Sequence, residues 1–307
     1  MSINIPAFYP ELVEPVRFIG GKEFDFSRRV VVMAILNRTP NSNLDPHKSM
    51  EVESLARRAE EVVAEGADWI DVGGRAFIGV RTQLPAQVEI DRVVPVIEAI
   101  REKTDAVISI DTHLPEVALA AHQAGAQIVN DTYALQSPGM TEVVAETGMG
   151  VIVAHSLAGP GIHLERPTYS DVTADVARFL QSRVEHALQH GIQPNRIFID
   201  PGHDLHKNTF DSLELTRDFK DIARLGYPAM AAVSNKHLIW ESLGVERGTQ
   251  AVTHGTVAAN SMCVYMGARL VRVHDVRRNV TAMRQMESLL GLGERGAAGV
   301  ARPAEWP

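Results

Sequence analysis

Eight short apolar runs recur along the chain, and seven of them end in a residue able to hydrogen-bond or carry charge. VVVMAIL runs into Asn37, DWI into Asp71, AVISI into Asp111 and QIV into Asn130. IFI meets Asp200, AMAAV meets Ser234-Asn235-Lys236, and LV meets Arg272 and His274. The eighth run, GVIVA, meets His155, for which capping its own strand is a sufficient role. The runs are rich in Val and Ile with little polar alternation, as in parallel strands buried on both faces. Between them lie amphipathic stretches; in MEVESLARRAEEVVAEG, residues Met50, Val52, Leu55, Ala59, Val62 and Val63 form one apolar stripe. Gly66, Gly125, Gly148, Gly191, Gly226 and Gly267 fall where each helix gives way to a strand, the place of the left-handed C-cap. Pro115, just after Thr112 and His113, marks a helix start. Eight units of helix, glycine, buried strand and polar turn predict an α/β fold, a single-domain (β/α)8 barrel with its chemistry at one rim.

That barrel is expected over residues 30–292. Residues 1–29 precede it as an extension, in which VRFIGGKEFDF reads as a hairpin turning at Gly20-Gly21. The Gly- and Pro-punctuated residues 293–307 read as a flexible tail. A net charge of −8 argues against nonspecific binding to nucleic acid or an anionic membrane, though not against a local basic pocket. Cys263, the one cysteine, excludes an intrachain disulfide and a cysteine-rich zinc site. The first residues lack a basic patch followed by an apolar core, and no run approaches the roughly 20 residues that span a bilayer. A cytoplasmic protein is expected. No dinucleotide or Walker-type glycine fingerprint is present; Gly73-Gly74 has the wrong spacing.

In a parallel barrel the carboxyl ends of all strands face one mouth, so residues remote in sequence converge there. Asp111, Asn130 and Asp200 offer acceptors and amide donors suited to a flat heterocycle. Lys236, Arg272 and His274 bring positive charge suited to an anion or phosphate. Asn37 contributes a neutral oxygen compatible with Mg²⁺. Together they suggest a polar ring bound beside a phosphorylated group. A lone Asp after a strand is more often a helix N-cap, and Asp71 fits that simpler role.

At this point the chain resembles the dihydropteroate synthases. ILNRTPNS at 35–42, GADWIDVGG at 66–74, SIDT at 109–112, GAQIVNDT at 125–132, IDPGHDLHK at 199–207, SNK at 234–236 and GARLVRVHDV at 267–276 are similar to that family's successive signatures, in its order. The resemblance covers roughly residues 17–290. It implies a pterin-binding barrel in which Asp111, Asn130 and Asp200 hydrogen-bond the pterin ring and Lys236 lies along it. Asp111, Asp200 and Lys236 are thereby the expected catalytic residues. Asn37 would bind Mg²⁺ with the substrate pyrophosphate, and Arg272 and His274 would form its anion site. The implied reaction joins 6-hydroxymethyl-7,8-dihydropterin pyrophosphate to 4-aminobenzoate and releases pyrophosphate, in folate biosynthesis. Family members are commonly homodimers through the last barrel helices; NSMCVYMGARL at 260–270 is apolar enough for interface or, more simply, core.

Departures from the family pattern cluster on the first two loops. Ala76-Phe77-Ile78-Gly79-Val80 stand where the family carries Ser-Thr-Arg-Pro-Gly, and Arg75 stands where an acid is usual. Asn41-Ser42-Asn43 replace Asp-Ser-Phe, and Arg38 replaces a small apolar residue. Elsewhere Ser234-Asn235-Lys236-His237 replace Ser-Arg-Lys-Ser, and His203, Asp204 and His206 enter the turn after Asp200 without an assigned role. Pterin-ring positions are kept while those for the second substrate are altered. A pterin-binding paralogue with another acceptor, or with no synthase activity, therefore stays open. So do a metal-dependent hydrolase built on His155, His203, His206 and Asp204, and a pterin-dependent methyltransferase, which would need a corrinoid partner.

Overall fold

The computed structural model describes residues 6–39, 49–75, 84–159, 162, 164 and 167–293. Strands β1 (Val16–Ile19) and β2 (Lys22–Asp25) pair antiparallel through Gly20-Gly21. Both glycines have positive φ, +57° and +77°, the backbone that a two-residue hairpin with native twist demands. The hairpin sends Ile19 and Phe24, followed by Phe26, under the barrel, where they meet Trp69 and Phe198. Arg17, almost fully buried, donates to the carbonyls of Ile197, Glu14 and Val13 and lies over the Phe198 ring. The amino-terminal end of the barrel is thus plugged.

Eight parallel strands form the barrel wall: β3 (Val31–Asn37), β4 (Trp69–Gly73), β5 (Val107–Asp111), β6 (Ile128–Asp131), β7 (Gly150–Ala154), β8 (Ile197–Asp200), β9 (Met230–Ala231) and β10 (Leu270–Val273). Each pairs with its neighbour in sequence, β10 pairs with β3, and an Ile199–Ala229 bridge joins β8 to β9. The eight apolar runs are these eight strands. Helices α1 (Val52–Ala64), α2 (Ala86–Lys103), α3 (Pro115–Gln123), α4 (Met140–Thr147), α5 (Val172–Gln189), α6 (Thr209–Arg217), α7 (Phe219–Ala223), α8 (His237–Leu243), α9 (Gln250–Tyr265) and α10 (Val276–Leu290), with a short 3-10 turn at Pro194–Arg196, complete the described elements. Pro115 opens α3 at its first turn, as expected. In α1 the buried stripe is Leu55, Ala56, Ala59 and Val62; Met50 lies before the helix and is exposed. In α9, Asn260, Cys263 and Val264 are buried and Met262 and Tyr265 pack partly against the core. No described helix is long and apolar enough to cross a membrane.

Strand parity places the site. Side chains alternate across a strand, and one core cluster takes an inward residue from every barrel strand: Val31, Trp69, Val107, Ile128, Ile152, Phe198, Met230 and Leu270. The other parity, with Val32, Ile70, Ile108, Val129, Val151, Ile199 and Val271, packs outward under the helices. Stepping by two along each inward series reaches Asn37, Asp71, Asp111, Asn130, Asp200 and Arg272 at the carboxyl end. The barrel interior is therefore apolar at its floor and polar at its mouth. His155 falls on the outward parity of β7, away from that mouth.

Candidate active site

The mouth is tied together by ionic hydrogen bonds between strands remote in sequence. Arg272 on β10 donates from Nε to Asp71 Oδ2 at 2.6 Å and from Nη2 to Asp111 Oδ2 at 2.9 Å. Asn130 Nδ2 donates to the same Asp71 oxygen at 3.2 Å. Asp71 is a correction to the simpler expectation. It caps no helix; it lies within β4, is 0% exposed, and anchors both Arg272 and Asn130. Burial works against the Arg272 charge, but Asp71 and Asp111 outweigh it and hold the guanidinium more firmly protonated. Arg272 thus faces carboxylates as well as any incoming anion.

Asp111 is 30% exposed at the rim. Burial raises its carboxyl above the ordinary range against the pull of Arg272, with Asp71 and Glu89 adding to the rise. Asp200, at the end of β8, is buried and raised for the same reason, opposed chiefly by Lys236. Its Oδ1 accepts from Gly202 N at 2.7 Å. Lys236 donates from Nζ to the His203 carbonyl at 2.7 Å, and burial lowers its ammonium while Asp200 opposes. Across the turn, Ser234 Oγ and His274 Nδ1 lie 2.9 Å apart. Among the described residues, Asp71 Oδ1 and Asn130 Oδ1 are buried without a hydrogen-bond partner. Buried polar atoms left this way cost free energy until a ligand or water meets them.

The histidines outside the mouth divide differently from a metal centre. His155 Nδ1 accepts from Lys207 Nζ at 2.8 Å, and its ring packs edge-on against Phe179 at 4.8 Å; it is a partner for a buried lysine, not a strand cap. His206 is set between Ser156 Oγ at 2.8 Å and the Ile162 carbonyl at 2.7 Å. Asp204 accepts from the His237 backbone N–H and from Ser212 Oγ, so it serves the start of α8. Among the described residues no group of three or more His, Cys, Asp or Glu is placed to hold a metal. The hydrolase arrangement finds no support in that geometry.

Asn37 sits at the end of β3 with Oδ1 laid across the Gly73 backbone, where a Cβ would lie 2.4 Å from it. One neutral oxygen suits Mg²⁺ whose other ligands are phosphate oxygens and water. Asn37 fits such an ion as a single ligand only, with no further protein ligand group among the described residues.

Near the ends of β3 and β4, three arginines are engaged by backbone carbonyls or by Glu89. Arg38 donates from Nε to the Met50 carbonyl at 2.9 Å and from Nη1 to those of Asp91 and Arg92 at 3.0 Å each. Arg92 donates to the Gly74 carbonyl at 2.8 Å. Arg75 pairs with Glu89 at 2.9 Å and also reaches the Leu84 carbonyl at 3.2 Å. Asn41-Ser42-Asn43 and Ala76–Val80 lie outside the described residues.

A family model described as pterin binding enzyme matches residues 33–274. The chain belongs to the pterin-binding, dihydropteroate synthase family. It is 37% identical over 271 residues to an inactive dihydropteroate synthase 2 of Mycobacterium leprae, covering 86% of this chain and 91% of that one. It is 33% identical over 277 residues to the dihydropteroate synthase of Escherichia coli, covering 90% and 97%. Among solved structures, dihydropteroate synthase from Xanthomonas albilineans in complex with 7,8-dihydropteroate superposes with a TM-score of 0.78 at 34% identity, covering 90% of this chain and 98% of that one. Family kinship is thus common to relatives named as synthases and to relatives named as inactive.

Proposed function

We propose that the chain binds the ring of a dihydropterin pyrophosphate in the barrel mouth and acts as a dihydropteroate synthase-type transferase. The observation that carries this reading is the convergence of Asp71, Asp111, Asn130, Asp200, Lys236 and Arg272 on one inward-facing ring, with two acceptor atoms unpartnered. A pterin presents several N–H groups and a carbonyl in one plane, the complement of that set. In the proposed reaction the bond between the exocyclic carbon and pyrophosphate breaks. The amine of 4-aminobenzoate then forms a C–N bond to that carbon and gives up one proton to solvent.

An aromatic amine is uncharged at neutral pH, so the barrier lies in charge separation. Asp111 and Asp200 oppose the positive charge that grows on the pterin. Arg272 and His274 face the departing anion, and Lys236 lies along the ring. Asn37 would help hold Mg²⁺, which supplies charge neutralisation to the pyrophosphate when bound. A homodimer built through the last barrel helices belongs to the same reading, and sedimentation of the purified chain checks it.

A second reading is favoured by one set of observations: Arg38, Arg75 and Arg92 are engaged by backbone carbonyls or Glu89. The M. leprae relative at 37% identity, moreover, is named inactive. In that reading the pterin is bound and 4-aminobenzoate is not its acceptor. Incubation with the pterin pyrophosphate, Mg²⁺ and 4-aminobenzoate, following pyrophosphate and dihydropteroate separately, separates the two. Equal release of both supports the synthase. Pyrophosphate alone, or pterin binding without turnover, supports the second reading; no pterin binding overturns both.

A further inference from the structure

One buried cation lies outside the mouth yet next to it. Lys207, at the end of the turn that follows β8, has its ammonium buried and surrounded by three acceptors. It donates to His155 Nδ1 at 2.8 Å, to the Gly202 carbonyl at 2.9 Å and to the Leu205 carbonyl at 3.2 Å. An ammonium has three N–H donors and no acceptor, so the geometry uses all of them and fixes His155 as a neutral ring with Nδ1 accepting. Burial, followed by the Lys207 charge, drives the His155 imidazolium down to about 2, in keeping with that assignment.

The same turn carries Asp200. Its carboxylate accepts from Gly202 N, and its carbonyl accepts from His155 N at 2.9 Å. Gly202 has φ +68°, and a Cβ there would lie 2.0 Å from the His155 carbonyl oxygen, so no side chain is admitted. Gly202 is therefore gripped on both sides: its N–H holds Asp200 and its carbonyl is held by Lys207. Immediately beyond, Asn208 and Asp211 close a reciprocal capping box at the start of α6, fixing the backbone from which Lys207 projects.

We propose that Lys207, seated against the neutral imidazole of His155, is a positioning residue that sets the Asp200 carboxylate for the pterin through the Gly202 peptide it holds. This rests on the pterin-binding reading for its ligand. The charges acting on Asp200 are Lys236 from the β9–α8 turn, Lys207 from its own turn and Arg272 from β10. Burial lowers the Lys207 ammonium to about 7, against the pull of Asp200, Asp204 and Asp211 and with Lys236 adding to the fall, so its charge is fullest below neutral pH; His155 and the Tyr169 ring lie on the β7 side. Removing the Lys207 charge leaves the burial of Asp200 less opposed, so its carboxyl rises further.

The test follows the Asp200 carboxyl by ¹³C NMR in the full chain labelled at aspartate, with Asp200→Asn to assign the resonance. Lys207→Met is expected to move its midpoint upward by about one pH unit, the size typical of losing one nearby opposite charge. Affinity for 6-hydroxymethylpterin, measured by calorimetry, is expected to fall about tenfold at pH 6 and less at pH 8. Lys207→Gln removes the charge while keeping two N–H donors, and carries the same measurements should the methionine variant not fold. A midpoint unchanged in a folded variant overturns the proposal. A midpoint that moves while the wild-type chain binds no pterin upholds the positioning role and overturns the pterin reading instead.

Discussion

The two sides of the barrel mouth use their charges in opposite ways. On the strand-end side, formed by the ends of β4, β5, β6, β8 and β10, acids, an amide and an arginine face one another across the opening. On the side of the loops that follow β3 and β4, Arg38 and Arg75 reach to α2, and Arg92 of α2 reaches back to the Gly74 carbonyl. Strand ends are held by the sheet ladder and by the plugged core beneath. A loop residue has no such frame and takes the nearest carbonyl or carboxylate. The first side is therefore organised for a ligand before one arrives, whereas the second is organised for the stability of its own loops.

If that contrast is right, truncating the organised side removes binding without unfolding the chain. Asp200→Ala is expected to cost about 3 kcal/mol in pterin affinity, more than a hundredfold, for loss of charge-assisted hydrogen bonds. Asp111→Ala is expected to behave alike, because it also releases one end of Arg272. Calorimetry with a pterin pyrophosphate, alongside a thermal melt, checks both. Unchanged affinity in both variants would remove the organised side from the binding site.

The opposite side should show the reverse pattern. Glu89 is 0% exposed and Arg75 is 25% exposed, so the two partners are not equivalent. Arg75→Ala strands a buried carboxylate and is expected to cost about 2–3 kcal/mol of folding stability. Glu89→Gln leaves an arginine that can reach water and should cost less. Denaturant unfolding reads both, and pterin affinity should stay within twofold. A large loss of pterin affinity in Arg75→Ala would erase the contrast.

The contrast was only half legible in the sequence. Buried parallel strands must be apolar runs, and inward residues must alternate, so Asn37, Asp111, Asn130, Asp200 and Arg272 could be placed at a barrel mouth from order alone. Asp71 could be placed at the end of its run in the same way, but its work could not be read there, since an acid after a short apolar run has the local signature of a cap. What distinguishes it is Arg272, 201 residues away. Lys207 lay inside a recognised stretch, but its role depends on a ring supplied by β7, 52 residues earlier. The destination of Arg38 and Arg75 is similarly set by α2, whose register against the loops no local pattern reveals. Tertiary partners decide the work of a charged side chain, and those partners are the least local information a sequence holds.

A milder perturbation sharpens the organised side through pH. Burial raises both Asp111 and Asp200, and each serves the pterin as an ionised acceptor. Lowering pH through those raised values protonates them, which loosens the Arg272–Asp111 pair and removes acceptors. Pterin affinity is therefore expected to weaken from pH 8 to pH 5, and to weaken less in Asp200→Asn, where one of the titrating groups is gone. A flat profile in the wild-type chain would show that neither acid titrates in this range when the ring is bound.

The smallest expected effect concerns His203, which sits on the organised side but makes no use of its polarity. Its ring is fully buried, stacks at 4° and 6.2 Å on Phe219, and has no hydrogen-bond partner at either nitrogen among the described residues. Burial, with Lys236 and Lys207 nearby, holds it well below the usual histidine range, so it is neutral. A neutral ring still carries one N–H and one lone pair that water would have satisfied. His203→Phe keeps the stack and removes that loss, with an expected gain of about 1 kcal/mol in stability. For a chain of this size that is a rise of roughly 2 °C in Tm, measurable by calorimetry. The backbone carbonyl that receives Lys236 is untouched by the substitution, so pterin affinity should not change. If stability instead falls, the imidazole has a partner in solution; if affinity falls with it, that partner is the ligand, and His203 belongs to the pocket.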